Sequence, residues 1–221
     1  MSIAQNIARI RSTLPDGVTL VAVSKFHPSE IIRKAYDTGQ RIFGESRVQE
    51  LTAKRPLLPP DIEWHFIGTL QTNKVKQIAP FICMIHSIDS AGLLKEVDRQ
   101  AAKCHRTIRV LLEIHIAEET SKHGFTMDEC RTLLREGMAS ACPNVCIAGL
   151  MGMATFTDSM EQVGREFKRL RTFFEEIKND CPPGEFFTEL SIGMSGDYLT
   201  AVANGSTMVR IGSDIFGERL Y

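Results

Sequence analysis

The 221-residue chain is 43% hydrophobic and 24% charged, with a net charge of −1. That balance suits a globular chain with a buried core, and it lacks the basic excess or stripe that a nucleic-acid or membrane-surface partner calls for. No stretch approaches the ~20 apolar residues of a membrane span, and the opening MSIAQNIARIRSTL has no apolar core or cleavage site of a signal peptide, so a cytoplasmic protein is expected.

Ile3, Ile7, Ile10 and Leu14 recur at helical spacing and stop at Pro15-Asp16-Gly17, which predicts a leading helix. VTLVAVSK, residues 18–25, is apolar and β-branched and reads as a buried parallel strand. Pro28-Ser29-Glu30 then opens a helix that ends near Gly39. The alternation repeats, with strands expected at 41–46, 63–68, 84–89, 108–116, 146–153, 187–195 and 208–212. Helical patterns fill the gaps. The clearest covers 158–179, with Val163, Phe167, Leu170, Phe174 and Ile177 on one face and a capping-box start at Asp158 and Glu161.

Strands alternating with helices imply parallel βαβ units. The expected fold class is α/β: a single (β/α)8 TIM-type barrel over residues 1–221 with an extra N-terminal helix. An open doubly wound sheet is the alternative. A barrel of this kind takes about 250 residues or somewhat fewer, so one domain uses the whole chain. The six cysteines, at 83, 104, 130, 142, 146 and 181, form no CxxC pair and match no zinc-finger spacing. They read as reduced thiols.

Active sites of such barrels lie at the C-terminal ends of the strands. Lys25 ends the first strand. Partial desolvation at a barrel rim favours the neutral amine, the form that attacks an aldehyde to make a Schiff base. On position alone, a strand-end lysine reaching solvent fits at least as well. Gly193-Met194-Ser195-Gly196 and Arg210-Ile211-Gly212-Ser213 follow strands seven and eight, where phosphate sites of these barrels are often built. Glycine lets backbone N–H groups approach a phosphate, and Ser195 and Ser213 offer hydroxyls. Each motif alone is a common glycine turn. With Lys25 they describe one ligand bearing an aldehyde and a phosphate. Arg210 lies two residues before Gly212 and so shares its face. Beneath a pyridine ring, a guanidinium would keep the ring nitrogen unprotonated and the ring a poor electron sink. The other reading is an arginine paired with Asp214 or Glu218.

WHFIGTLQTNK, residues 64–74, resembles the signature of the pyridoxal phosphate homeostasis protein family (YggS/PROSC type). The resemblance continues through VAVSK at 21–25, FGE at 43–45, SKHGF at 121–125, GLMGMAT at 149–155, LSIGMSGD at 190–197 and STMVRIGSDIFGER at 206–219. It implies the barrel of the alanine racemase N-terminal domain, a type III PLP-binding fold, with pyridoxal 5′-phosphate (PLP) as cofactor. It assigns the Schiff base to Lys25, the phosphate to Ser195, Gly212 and Ser213, and the pyridine nitrogen to Arg210. It further implies a role in intracellular PLP (vitamin B6) homeostasis without strong turnover, and no catalytic residue. PLP-accepting apo-enzymes are the expected partners, and a monomer the expected state. Two positions depart from the family. Ser46 replaces the usual Asn, so the resemblance carries no contact from there to the cofactor's ring oxygen. Ser213 replaces a threonine and keeps the hydroxyl.

A PLP-dependent amino-acid racemase or decarboxylase is the alternative. A racemase needs an acid or base on each face of the ring. Tyr198, His65 and Lys122 are the candidates, and they form no clear pair. His65, His86 and His115 fall on consecutive strands, but a metal-dependent hydrolase would usually show a His-x-His pair at one strand end. They read as structural, and no metal is expected.

Overall fold

The apolar runs become eight parallel strands that close on themselves in chain order. They are β1 (Thr19–Val23), β2 (Ile42–Glu45), β3 (Glu63–Phe66), β4 (Met84–Ile88), β5 (Ile108–His115), β6 (Val145–Met153), β7 (Glu189–Ser191) and β8 (Met208–Ile211). The structure is a computed structural model and describes residues 1–118 and 123–217. Helix α1 (Ile3–Thr13) precedes the barrel. Helices α2 (Ser29–Tyr36), α3 (Val48–Lys54), α4 (Val75–Ile78) and α5 (Ala91–Lys103) follow β1 to β4 in turn. Both α6 (Met127–Arg135) and α7 (Met138–Ala141) follow β5, and α8 (Met160–Asp180), α9 (Tyr198–Ala203) and α10 (Ser213–Phe216) follow β6 to β8. The seam joins β1 to β8, with Thr19 opposite Met208 and Ala22 opposite Ile211, so the sheet is closed and not open.

Alternate strand residues point to opposite faces. Leu20, Ala22, Val209 and Ile211 therefore pack outward among helix residues such as Ile32, Phe167 and Ile215. Val21, Met84, Leu111, Ala148, Met151 and Met208 form a second buried cluster, inside the barrel. Helix α1 is capped by Ser2 and Gln5, buries Ile7 and Ile10, and reaches α10 through Asn6 Nδ2, which donates to the Ile215 carbonyl at 3.0 Å. Among the described residues no helix is long and apolar enough to cross a membrane.

All five expected apolar residues of α8 are buried, but its cap lies one residue later than expected. Ser159 accepts from the Gln162 N–H, and Glu161 pairs instead with Arg165 one turn on. An apolar stripe fixes where a helix lies, not which of two adjacent cap-forming residues ends it. Strands also stop short of their apolar runs. Strand β1 ends at Val23 because the Ser24 carbonyl turns away to accept from Lys54 Nζ (2.9 Å) and the His27 N–H (3.1 Å).

Gly149 of β6 lies opposite Glu189 of β7, and a Cβ there would overlap the Glu189 backbone. Gly149→Ala is expected to cost about 1–3 kcal/mol by overpacking, a fall in melting temperature of roughly 2–4 °C per kcal/mol for a chain of this size. Thermal unfolding checks this. An unchanged midpoint contradicts the β6–β7 register.

Candidate functional site

A cavity of about 520 Å³ opens where the strands end, and Lys25, Ser195, Arg210, Gly212 and Ser213 all line it. Half-buried Lys25 comes from the turn after β1. Gly212 follows β8, where a Cβ would stand 3.3 Å from both Cβ and O of Val23, so the bare backbone lets the two strand ends converge. The turn after β7 depends on Gly193. Its φ is +96°, and a Cβ would come within 2.6 Å of Ala201 Cβ. The Asp197 carboxylate closes the next turn by accepting from the Met194 N–H at 2.5 Å. Ser195 Oγ accepts from the Gly212 N–H at 3.3 Å, which joins the two loops and leaves the hydroxyl proton to be donated.

Arg210 points inward, as its two-residue offset from Gly212 predicts, and is only 5% exposed. It donates to the Ser191 carbonyl (2.8 Å), to Ser191 Oγ (2.6 Å) and to the Gly152 carbonyl (3.1 Å). A guanidinium has five N–H groups; these bonds use three. Burial lowers its pKa to about 10, against the pull of Asp197 and Glu113, so it is cationic at neutral pH. Asp214 is not its partner, being 4.0 Å from Arg9. Glu218 lies outside the described residues.

Residues 1–220 match the family model described as alanine racemase, N-terminal domain. The pyridoxal phosphate homeostasis protein of Aquifex aeolicus is 37% identical over 203 residues, covering 91% of this chain and 87% of that relative. The human pyridoxal phosphate homeostasis protein is 38% identical over 232 residues, covering 99% and 83%. This chain belongs to the pyridoxal phosphate homeostasis protein family. The solved structure of PipY from Synechococcus elongatus with PLP bound is 39% identical, with a TM-score of 0.89 over 98% of this chain and 100% of that one. A histidine racemase from Leuconostoc mesenteroides, 16% identical with a TM-score of 0.77, shares the fold; the match covers 57% of its chain.

In this family member the barrel interior beneath Arg210 is polar but neutral. His86 Nδ1 meets Ser191 Oγ at 3.1 Å, and His86 Nε2 meets His65 Nδ1 at 3.0 Å. Burial pushes the His65 pKa down to about 3 and His86 well below the usual range, with His65 and Arg210 adding to the shift of His86. His115 stands apart at the end of β5, its N–H bonded to the Phe125 carbonyl. Among the described residues no group of three or more His, Cys, Asp or Glu could hold a metal. Tyr198 is 6% exposed and shares a 3.1 Å hydrogen bond with Thr13 of α1, away from the cavity. Lys122 lies outside the described residues. Ser46 packs its backbone against Gly68, where a Cβ would come 2.8 Å from Ser46 Cα.

Two features were missed by sequence reasoning. Met153, Phe156, Met160 and Met194 give the cavity an apolar rim. A cluster of buried Glu45 and Lys54 with partly buried Glu50 bonds to Ser24 and Phe26 on either side of Lys25. The Glu50–Lys54 spacing of one helical turn was the available signal for the second.

His65 is neutral when folded and takes up a proton when unfolded, so its contribution to stability is full above pH 6.5 and is lost as pH falls toward about 3. His65→Gln is therefore expected to flatten the decline in unfolding free energy between pH 6.5 and 5 by up to about 1.4 kcal/mol per pH unit. Urea unfolding across that range checks it; an unchanged slope contradicts a buried neutral His65.

Proposed function

We propose that this chain holds PLP as a Schiff base on Lys25 and serves intracellular PLP (vitamin B6) homeostasis as a carrier without strong turnover. One observation carries the reading: a single cavity unites a strand-one amine, the glycine-serine loops after β7 and β8, and a buried guanidinium. That donor set fits PLP group by group. When bound, PLP supplies an aldehyde and an electron-accepting ring. In its unprotonated form the Lys25 amine would condense with the aldehyde, forming C=N and releasing one water. Ser195, Gly212 and Ser213 hold the phosphate. Arg210 donates toward the ring nitrogen and, as a fixed cation, keeps that nitrogen unprotonated. This favours holding the cofactor over carbanion chemistry.

The family name and the PLP-bound PipY structure support the reading. The apolar rim, with Phe156 99% exposed, supports docking of PLP-accepting apo-enzymes at the mouth. Six free thiols support a reducing, cytoplasmic setting. In this reading residues 1–221 work as one domain and as a monomer.

Incubation with PLP followed by borohydride is expected to leave an adduct that peptide mapping places on Lys25, and Lys25→Ala to lose it. Retention of the adduct at the same stoichiometry overturns the assignment. Ser213→Ala removes a hydrogen bond to a charged group, worth about 1.5–3 kcal/mol, so PLP affinity is expected to fall at least ~10-fold in equilibrium titration. Sustained racemisation or decarboxylation near ~10 s⁻¹ in a panel of D- and L-amino acids would replace the carrier reading with an enzymatic one.

A further inference from the structure

The residues on either side of Lys25 are anchored from beneath by side chains of β2 and α3. Lys54, the last residue of α3, is 7% exposed. Its ammonium donates to the Ser24 carbonyl (2.9 Å), Glu45 Oε1 (2.8 Å) and Glu50 Oε1 (2.6 Å). An ammonium has three protons, and all three are used. Glu50 Oε1 also accepts from the Phe26 N–H at 2.6 Å, and the Ser24 hydroxyl donates to Glu45 Oε1 at 2.6 Å. Ser24 and Phe26, the two neighbours of Lys25, thus hang on one network.

Two further observations say that this network does more than fill space. Phe26 has φ +69°, a left-handed conformation that a residue with a Cβ holds only where its surroundings enforce it. The charge-assisted bond to Glu50 is such a restraint, and the Arg47 guanidinium, 4.8 Å from the Phe26 ring centroid, is another. The cluster also costs desolvation. Two carboxylates share one ammonium, Glu45 Oε2 is buried with no hydrogen-bond partner, and burial pushes the Glu45 pKa up. Buried ion pairs are commonly no more stabilising than apolar residues of the same volume. Stability alone gives no reason for this one.

We propose that Lys54 and Glu50 are positioning residues for Lys25: by fixing the backbone of Ser24 and Phe26, they hold the Lys25 amine toward the cavity. This inference rests on the reading that Lys25 carries PLP. It requires that recognition of phosphate and ring, at Ser195, Arg210, Gly212 and Ser213, be separable from the rate at which Lys25 condenses with the aldehyde.

The full chain is tested with two ligands. PLP with timed borohydride quenching gives the rate of adduct formation, and pyridoxine 5′-phosphate, which has no aldehyde, gives an equilibrium affinity. The variants are Glu50→Gln and Lys54→Met. Gln keeps the size of Glu50 and one acceptor oxygen, but it loses the negative charge that strengthens the bonds from the Phe26 N–H and the Lys54 ammonium. Both variants are expected to form the adduct roughly 10- to 100-fold more slowly, the scale set by misplacing a reacting group, with pyridoxine 5′-phosphate affinity unchanged within about twofold. An adduct rate equal to wild type in Glu50→Gln overturns the proposal. So does a parallel loss of pyridoxine 5′-phosphate affinity, which would make the network a general support of the barrel. If Lys54→Met does not fold, Glu50→Gln decides alone, since it leaves the Lys54–Glu45 pair in place. A wild-type adduct that maps elsewhere than Lys25 defeats the cofactor reading itself, whatever the variants do.

Discussion

The pairing of β1 with β8 is the constraint on which the site depends. Val21 lies opposite Arg210 and Ala22 opposite Ile211. In a parallel pair both strands end on the same side, so this register carries the turn at Lys25 to the loop at Gly212 and Ser213. The inward face of β8 carries Met208 and Arg210, with Gly212 just past its end, and that of β1 carries Val21 and Val23, with Lys25 in the turn that follows. Met208 and Val21 belong to the apolar cluster inside the barrel. Arg210, Val23, Gly212 and Lys25 line the cavity above it. An open sheet with the same strands would leave the amine and the phosphate-type loops at opposite edges.

A chain of polar contacts runs through the barrel interior. His65 meets His86, His86 meets Ser191, and Ser191 accepts from Arg210, which lines the cavity. A buried cation persists because three oxygens accept its protons and two carboxylates, Asp197 and Glu113, lie within electrostatic reach. The same cation helps to keep His86 uncharged. The site therefore presents a fixed donor with no readily titrating group bonded behind it. In the proposed carrier reading, such an electrostatic setting suits retention of a ring nitrogen in one protonation state better than proton traffic.

Much of this was legible in the sequence. Strands covered on both sides read as unbroken apolar runs, so all eight were found, and the strand-end rule with a period of two placed Lys25, Ser195, Arg210, Gly212 and Ser213 on one cavity. What escaped depends on distance in the chain. Lys54 reaches Ser24 across thirty residues, and no local pattern marks that meeting. His65 and His86 sit on adjacent strands, but their contact depends on a register that the sequence does not spell out. The direction of Tyr198 is set by how α9 is rotated against α1. FGE was recognisable as a motif, yet its glutamate acquires meaning only beside Lys54.

The seam has a consequence for how the molecule is made. Strand β8 leaves the ribosome last of the eight, and until it does the Thr19–Ala22 edge of β1 has unpaired backbone groups. The Asn6 bond that ties α1 to Ile215 must wait as well. The residues before β8 thus leave the ribosome with that edge uncovered, at elongation rates of about 5–20 residues per second. Closure joins the most distant parts of the sequence, the slowest kind of contact to form. The step that completes the cavity is also the step that removes the surface on which nascent copies would aggregate.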